Sequence, residues 1–363
     1  MDGLALGDEG YPLIRETGIL IRVEEGDDPE GKLAGKTLAL QEFLKNADKP
    51  LLSPMPKPFW ISVGGDVMLA RGATEILLRE GPEGLFGKTS EMLASSDLSL
   101  INFEGVASAR GEKVSKTYNF RFDPAVAPAL KNAGFDAVLH ANNHVYDYGS
   151  AAFLDSLSWL EKAGIGIIGA GLDDDAASNP FIVNSNGQVY RVFGLASFLR
   201  ERSGWDGADA WAAPGKPGML HAGRNGRAKL KEKLAVSGAN DFDIVFFHGG
   251  EEWSTKPDAS TRELYTDLVQ AGAELVIGTH PHIVQGFEWV QGKPVFWSLG
   301  NYVFAGMEDT GGGDEGLFIR LGLLGGRLLY LEPFALALNR ARTDIAPQEK
   351  LETFYSRSRE LKN

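Results

Sequence analysis

Cysteine is absent from this chain of 363 residues, which excludes disulfides, thiolate zinc sites and cysteine nucleophiles and leaves the redox compartment unread. Positive charge is scarce: 36 Lys and Arg stand against 49 Asp and Glu, for a formal charge of -13. Nonspecific nucleic-acid binding draws its affinity from a basic surface, so no nucleic-acid partner is expected, and an anionic substrate needs a local basic or metal-lined pocket. Long apolar runs are missing as well. Nowhere do about 18 apolar residues follow one another, and Met1-Asp2-Gly3 has neither the basic nor the apolar region of a secretion signal. The chain as given reads as soluble, any leader or anchor lying outside it. Histidine is sparse too, six in all, and its placement is informative.

With 43% hydrophobic residues the chain can fill a sizeable core, and its length fits about two domains or one large α/β domain with additions. Residues 1–58 read as an appendage, acidic at Glu24-Glu25-Gly26-Asp27-Asp28 and with a short helix around Leu38 to Leu44. It ends in the extended linker Leu51 to Pro58, where three prolines in the last five residues forbid helix and central strand alike. The main domain then spans 59–340. Apolar strands at Phe59 to Val63, Leu98 to Ile101, Phe135 to Leu139, Ile165 to Ile168, Phe181 to Val183, Val189 to Leu195, Phe242 to Phe247 and Ala273 to Ile277 alternate with helices. The helices fall near Ala70 to Arg79, Leu85 to Ser95, Pro124 to Asn132, Ser150 to Lys162, Arg224 to Leu234 and Thr261 to Gln270. Strand and turn alternate over Phe287 to Phe304 and Leu317 to Leu338, and 341–363 reads as a loosely packed polar tail. The pattern predicts α/β, with a mixed sheet or two stacked sheets.

Gly278-Thr279-His280-Pro281-His282 closes the strand Ala273 to Ile277. Pro281 biases His280 toward an extended conformation, and in an extended chain residues i and i+2 project to one side, which predicts two imidazoles in one space. Other strands empty into polar residues in the same way: Asp66, Asn102, Glu104, Asn143, His144 and His248. Such strand ends are where open α/β sheets place their sites. The set mixes carboxylates, carboxamide oxygens and imidazoles, donors suited to Mn, Fe or Zn. Two ions about 3.5 to 4 Å apart in such a set generate a nucleophile at neutral pH and clamp the oxygens of an in-line displacement, which points to phosphoester hydrolysis.

Further motifs follow in order: Gly65-Asp66-Val67-Met68-Leu69, Asn102-Phe103-Glu104-Gly105, Ala141-Asn142-Asn143-His144 with Asp147 and Gly149, His248-Gly249-Gly250-Glu251-Glu252, Gly278 to His282, and Ser298-Leu299-Gly300-Asn301. Together, over about Phe59 to Phe304, they resemble the bacterial capsule synthesis CapA (PGA_cap) family, the poly-γ-glutamate synthesis and export proteins, a branch of the calcineurin-like metallophosphoesterases. The resemblance implies a four-layer α-β-β-α sandwich with a metal site at one edge. By carry-over, Asn143, His248 and His280 hold one metal, Asp66 and His282 the other, and Glu104 bridges. His144 matches the histidine that protonates the leaving oxygen or steadies the transition state. The wider superfamily carries Asp-x-His where this chain has Asp66-Val67-Met68, and an aspartate where it has Glu104. A thioether is a poor ligand for hard cations, so one firm ion and one weak one is an alternative to a full pair. The resemblance implies a phosphoesterase-type hydrolase acting on an anionic substrate of the cell envelope. The alternative is a non-hydrolytic component of a poly-γ-glutamate synthesis and export complex, with membrane-bound synthase partners. An extracytoplasmic location suits both, and a cytoplasmic one stays open.

Around this set, Glu252 reads as a partner fixing an imidazole or as a solvated glutamate, and Asp147 as either such a partner or a turn or cap residue. Asn102 and Asn301 are expected to support the site beside the metal. Lys116 and Arg121 are candidates for meeting an anion, with Arg200 and Arg202 weaker ones, and solvated loop charges the alternative. Trp205, Trp211 and Trp253 either floor a cleft or pack. His140 is expected to be packed, His221 exposed, and Asp173-Asp174-Asp175 a solvated turn.

Overall fold

The computed structural model describes residues 57–198, 205–307 and 310–361. The expected appendage helix, most of the proline-rich linker, Arg200 and Arg202 lie outside the described residues. The described chain begins with β1 (Phe59–Met68), α1 (Ala73–Phe86), α2 (Thr89–Ala94), β2 (Leu98–Phe103), β3 (Val106–Ala107), β4 (Arg121–Phe122), α3 (Val126–Asn132) and β5 (Ala137–Leu139). It continues through α4 (Gly149–Lys162), β6 (Gly166–Ile168), β7 (Ala170–Gly171), α5 (Asp174–Ser178), β8 (Phe181–Ser185), β9 (Gln188–Ser197), β10 (Gly218–Met219), α6 (Arg224–Ala235), β11 (Asp241–Gly249) and α7 (Ala259–Gln270). It closes with β12 (Leu275–Thr279), β13 (Val284–Val290), β14 (Lys293–Leu299), β15 (Asn301–Phe304), β16 (Glu315–Leu324), β17 (Arg327–Asn339), β18 (Arg342–Ile345) and α8 (Leu351–Glu360). Among the described residues no helix is long and apolar enough to cross a membrane.

The architecture is mixed α/β, with two large sheets. The first runs β18-β17-β16-β1-β2-β5-β6, with β15 also pairing β1. The second runs β13-β14-β12-β11-β9-β8. In the second, parallel β14, β12, β11 and β9 are closed at both edges by antiparallel β13 and β8; in the first, β1, β2, β5 and β6 run parallel out to one edge and antiparallel β16, β17 and β18 form the other. Parallel strands covered on both faces need near-continuous apolar sequence, and every residue of β2 and of β12 is buried. Alternation within each strand feeds different cores. Ile61, Val63, Leu98 and Leu100 of the first sheet meet Val192, Ile244, Phe246 and Ile277 of the second. Val67, Ile101, Phe103 and Val138 point the other way and pack on Leu77 and Phe86 of α1 and Leu130 of α3. Phe193, Val245, Phe247 and Val276 pack on Leu230 of α6 and Tyr265 and Leu268 of α7.

Two expectations are corrected here. The helix expected over Leu85 to Ser95 begins earlier, at Pro82 after a break at Gly81 (φ 74°), and is cut at Gly87 (φ 52°) before α2 resumes at Thr89; Pro82 opens a first turn, a position where its missing N–H is harmless. The segment after Asn339 is not a loose tail. Residues 342–345 extend the first sheet, and α8 buries Phe354 and Ser358 against β13, where the Phe287 backbone N–H donates to Ser358 Oγ at 2.9 Å.

Candidate metal centre

β1 carries Gly64 and Gly65 at a place where its partners leave no room. A Cβ on Gly65 would stand 1.9 Å from the Gly300 carbonyl oxygen, and one on Gly64 2.2 Å from the Tyr302 ring. The strand slips register between Val63 and Asp66 against β2, and between Asp66 and Val67 against β15. Irregularities of this kind re-aim a side chain; here Asp66 is turned into a buried space walled by both sheets. The Asp66 backbone N–H donates to Gly300 O at 3.0 Å.

β2 ends at Phe103, so Asn102 and Glu104 arrive beside Asp66. The Asn102 amide nitrogen lies 2.8 Å from Asp66 Oδ1, 3.2 Å from Glu104 Oε2 and 3.0 Å from His248 Nδ1. Asn102 is itself fixed by Asn142, whose Nδ2 donates to Asn102 Oδ1 at 3.0 Å and to Phe103 O at 2.9 Å. From the second sheet, β11 delivers His248 and the turn after β12 delivers His280 and His282. His248 Nε2 stands 3.0 Å from Asn143 Oδ1 and 3.0 Å from His280 Nδ1. Two ring nitrogens and a carboxamide oxygen that close together must share a proton or a cation. His282 Nδ1 stands 3.3 Å from Asp66 Oδ2 and 2.9 Å from Asn301 Oδ1. All six expected ligands are buried: Asp66, Glu104 and His248 at 0%, His280 and His282 at 5%, Asn143 at 8% exposure.

The His-x-His turn is not extended, contrary to expectation. His280 has φ 97° and His282 φ 57°, both left-handed. Their rings nevertheless converge, with centroids 6.1 Å apart, because the backbone curls around Asp66: the His280 N–H donates to Asp66 Oδ2 at 3.2 Å. Non-glycine residues in this region mark stored strain.

The residues present fit a cation. Asp66, Glu104 and His248 offer ligand atoms that all lie within 4.8 Å of one another. Glu104 Oε1 is buried without a hydrogen-bond partner, 3.8 Å from His282 Nε2 and 3.8 Å from His144 Nε2. Such an atom carries a desolvation penalty that a cation would relieve. Burial, and then the Asp66 charge, push the Glu104 carboxyl well above its ordinary range. Burial and the neighbouring imidazoles hold His248 well below its usual value and His280 at about 3, so both are neutral, as ligands must be. His282 behaves oppositely: burial pulls it down, but Glu104 and Asp66 outweigh that and raise it to about 9. Met68, where the wider superfamily has a histidine, is fully buried and its sulfur accepts from the Ala70 N–H at 3.2 Å.

His144 sits at the edge of this group. Its Nδ1 is 2.6 Å from Asp147 Oδ2, which leaves Nε2 facing Glu104. Asp147 is buried, receives the Phe120 N–H at 2.6 Å, and pairs with Lys116 Nζ at 2.7 Å. Burial holds His144 at about 4, against the pull of Asp147. Lys116 is therefore not presented to a ligand: its side chain is 1% exposed, also donates to Asn143 O at 2.6 Å and lies over the Trp205 ring. Arg121 is exposed and stacks on Tyr148, with 4.1 Å from guanidinium to ring centre. Glu252 Oε1 is 4.0 Å from His280 Nε2 and half exposed.

A cavity of about 320 Å³ reaches the edge of the group at His282 and His144, its wall also including Glu252, Trp253, Tyr118 and Arg71. Trp253 packs on His282 at 5.3 Å. Trp205 stacks on Phe198, and Trp211 on His221 at 3.9 Å, so the latter two histidine and tryptophan rings pack together away from the cavity. His221 is thus half-buried, not exposed, and burial lowers it to about 4. His140 is fully buried, stacked on Phe153. Asp173 is a helix cap, not a loose turn: it accepts the Ala176 N–H at 2.7 Å, while Asp174 and Asp175 pair with Lys229. Sequence reasoning passed over Asn142, Thr279 and Arg71. The first two sit inside recognised motifs, Thr279 Oγ1 lying 3.2 Å from His248 Nδ1, and Arg71 lies two residues beyond the first motif.

A mixed α/β fold in which two sheets bring a buried Asp-Glu-His group to one cavity defines the class. The chain belongs to the family described as bacterial capsule synthesis protein PGA_cap, whose sequence pattern matches residues 60–306. It is 31% identical over 246 residues to a capsule biosynthesis protein CapA of Bacillus anthracis, covering 66% of this chain and 58% of that protein. It is 26% identical over 243 residues to a PGA biosynthesis protein CapA of Bacillus subtilis, covering 66% and 62%. A probable polyglutamine synthesis accessory protein of Mycobacterium tuberculosis is 27% identical over 347 residues, covering 82% and 89%. The chain thus spans about three fifths of the length of the two Bacillus relatives.

Proposed function

We propose that this protein is a metal-dependent hydrolase of the phosphoesterase type, acting on an anionic cell-envelope substrate in capsule or poly-γ-glutamate synthesis. Asp66, Glu104, Asn143, His248, His280 and His282 would hold one or two divalent ions, Mn, Fe or Zn. When bound, such an ion supplies Lewis-acid charge to the ester oxygens. The domain of 59–340 would be a four-layer α-β-β-α sandwich; the three apolar cores, one between the sheets and one under each set of helices, support that reading. An extracytoplasmic location and membrane-bound synthase partners follow from the same assignment.

One observation carries the hydrolase reading. His144 is fixed through Nδ1 by Asp147 and turns Nε2 toward the unpartnered Glu104 oxygen at the cavity wall. A site that only binds has no use for an oriented imidazole. Neutral at rest, His144 gains basicity when an anion enters beside it and can then carry a proton to a leaving oxygen. Asn102 and Asn301 orient Asp66 and His282, and Asp147 orients His144. A non-hydrolytic polyanion-binding component is the second reading, and Met68 favours it: with its sulfur turned to Ala70 N, one metal position lacks an imidazole.

Metal content of the purified protein comes first, then turnover of p-nitrophenyl phosphate and bis-p-nitrophenyl phosphate with added Mn. Wild-type turnover is expected, with His144→Ala slower by about 10² to 10⁴ at unchanged metal content and His282→Ala poorer in metal. Turnover that survives both substitutions sinks the hydrolase reading. Bound metal without turnover of either ester selects the binding one.

A further inference from the structure

Arg71 has no role in the reading above, yet the fold goes to some length to place it. Its own backbone is left-handed, φ 54°, an unusual state for a long side chain. Its Nη1 donates to Ala305 O at 2.7 Å. Gly306, φ 88°, lies against the guanidinium, and a Cβ there would stand 2.6 Å from Nη1. The guanidinium lies 5.4 Å from the Phe120 ring centre and 5.9 Å from that of Tyr118. Phe120 in turn packs on His144 at 4.3 Å. Arg71 is therefore one aromatic ring away from His144, on the same cavity.

Of the Lys and Arg side chains among the described residues, Arg71 is the one that lines this cavity, Lys116 and Arg121 being engaged elsewhere. One N–H is committed to Ala305, and a guanidinium has five in a planar fork that matches an oxyanion in two-point fashion. We propose that Arg71 is the specificity-determining cation of the site, gripping an oxyanion of the substrate, phosphate or carboxylate, in the cavity that His144 and His282 also line. Tyr118, 60% exposed, holds the fork in place and offers its face to the substrate body. The proposal rests on the reading of this cavity as the substrate site and does not require that the substrate be cleaved.

The test is therefore binding. Full-length, Mn-loaded wild type, Arg71→Gln, Arg71→Lys and Gly306→Ala would be titrated by calorimetry with inorganic phosphate and, separately, with a short γ-linked glutamate oligomer, with metal content and Tm recorded for each. Arg71→Gln is expected to weaken one or both ligands roughly tenfold or more, the loss of a charge-assisted hydrogen bond, with metal content unchanged. Arg71→Lys should recover part of the affinity because charge returns without the fork, and Gly306→Ala should weaken binding by displacing the fork. The ligand that responds identifies the oxyanion as phosphate or carboxylate. Equal affinity of Arg71→Gln and wild type for both ligands overturns the proposal, as does a wild type that binds neither. A lowered Tm with unchanged affinity also overturns it, by making Arg71 a strut for Ala305. Loss of ester turnover alone bears on the hydrolase reading and not on this one.

Discussion

Glu104 and His282 form the pair in which charge is least settled. The carboxyl is pushed upward by burial and then by Asp66, and the imidazole reaches about 9 because Glu104 and Asp66 outweigh burial. At pH 7 the Glu104–His282 pair therefore holds a proton, whereas His248 and His280 do not. A metal ligand must give its proton up. Binding of Zn or Mn to metal-free protein at pH 7 is expected to release about one proton, so the calorimetric heat should vary with buffer ionisation enthalpy. Affinity should rise roughly tenfold per pH unit toward the His282 value of about 9 and level off above it, as expected for one displaced proton. His282→Gln should remove most of the buffer dependence along with part of the affinity. A heat of binding identical in buffers of high and low ionisation enthalpy would sink this account.

At the scale of elements, the site exists because β1 bulges, and the bulge exists because Gly64 and Gly65 admit Tyr302 and the Gly300 carbonyl. Gly65→Ala should destabilise the protein by about 1 to 3 kcal/mol or more, as overpacking does, and lower metal content, whereas Gly187→Ala, in a turn with φ 80° and nothing within 4 Å of its Cβ, should lose stability through backbone strain alone and keep the metal. Chemical denaturation with metal analysis checks both, and a Gly65→Ala protein with wild-type stability and metal would remove the bulge from the argument. Much of this scale was legible in the sequence. The strands β2, β11 and β12 announce themselves as apolar runs that empty into polar residues, since a parallel strand covered on both faces has no other option. What stayed hidden depends on partners far along the chain. α8 looks like a polar tail because only the face bearing Phe354 and Ser358 is buried, and the β13 edge that covers it lies some seventy residues earlier. Lys116 looks like a loop charge until Asp147 is placed beside it. The turn at His280 defies the extended bias of a residue before proline because the Asp66 carboxylate captures its N–H. That Asp66, Glu104, Asn143, His248, His280 and His282 converge is legible because each follows an apolar strand, whatever the loops do.

For the molecule as a whole, acid stability separates histidines that a metal can protect from those it cannot. His140 is fully buried between the first sheet and α4, stacked at 5.8 Å on Phe153 and 5.6 Å from Phe103, and burial lowers it from 6.5 to about 4. In the unfolded chain it takes a proton near pH 6.5, and in the folded one only near pH 4. Between those values the unfolded state binds more protons, so stability rises with pH, is fully present above 6.5 and is lost as pH falls toward 4. At about 1.4 kcal/mol per pH unit, the drop from pH 7 to pH 5 removes roughly 2 kcal/mol through this one side chain. His140→Phe keeps the ring stack and the backbone bond from His140 N–H to Ile168 O at 2.9 Å and cannot titrate. Urea unfolding at pH 7 and pH 5, with a chelator present so that metal loss is common to both proteins, should show a fall in stability smaller by about 2 kcal/mol in the variant. An equal fall in both would mean that His140 finds water or a partner when protonated, and that the acid lability of the protein resides in the imidazoles of the candidate metal centre instead.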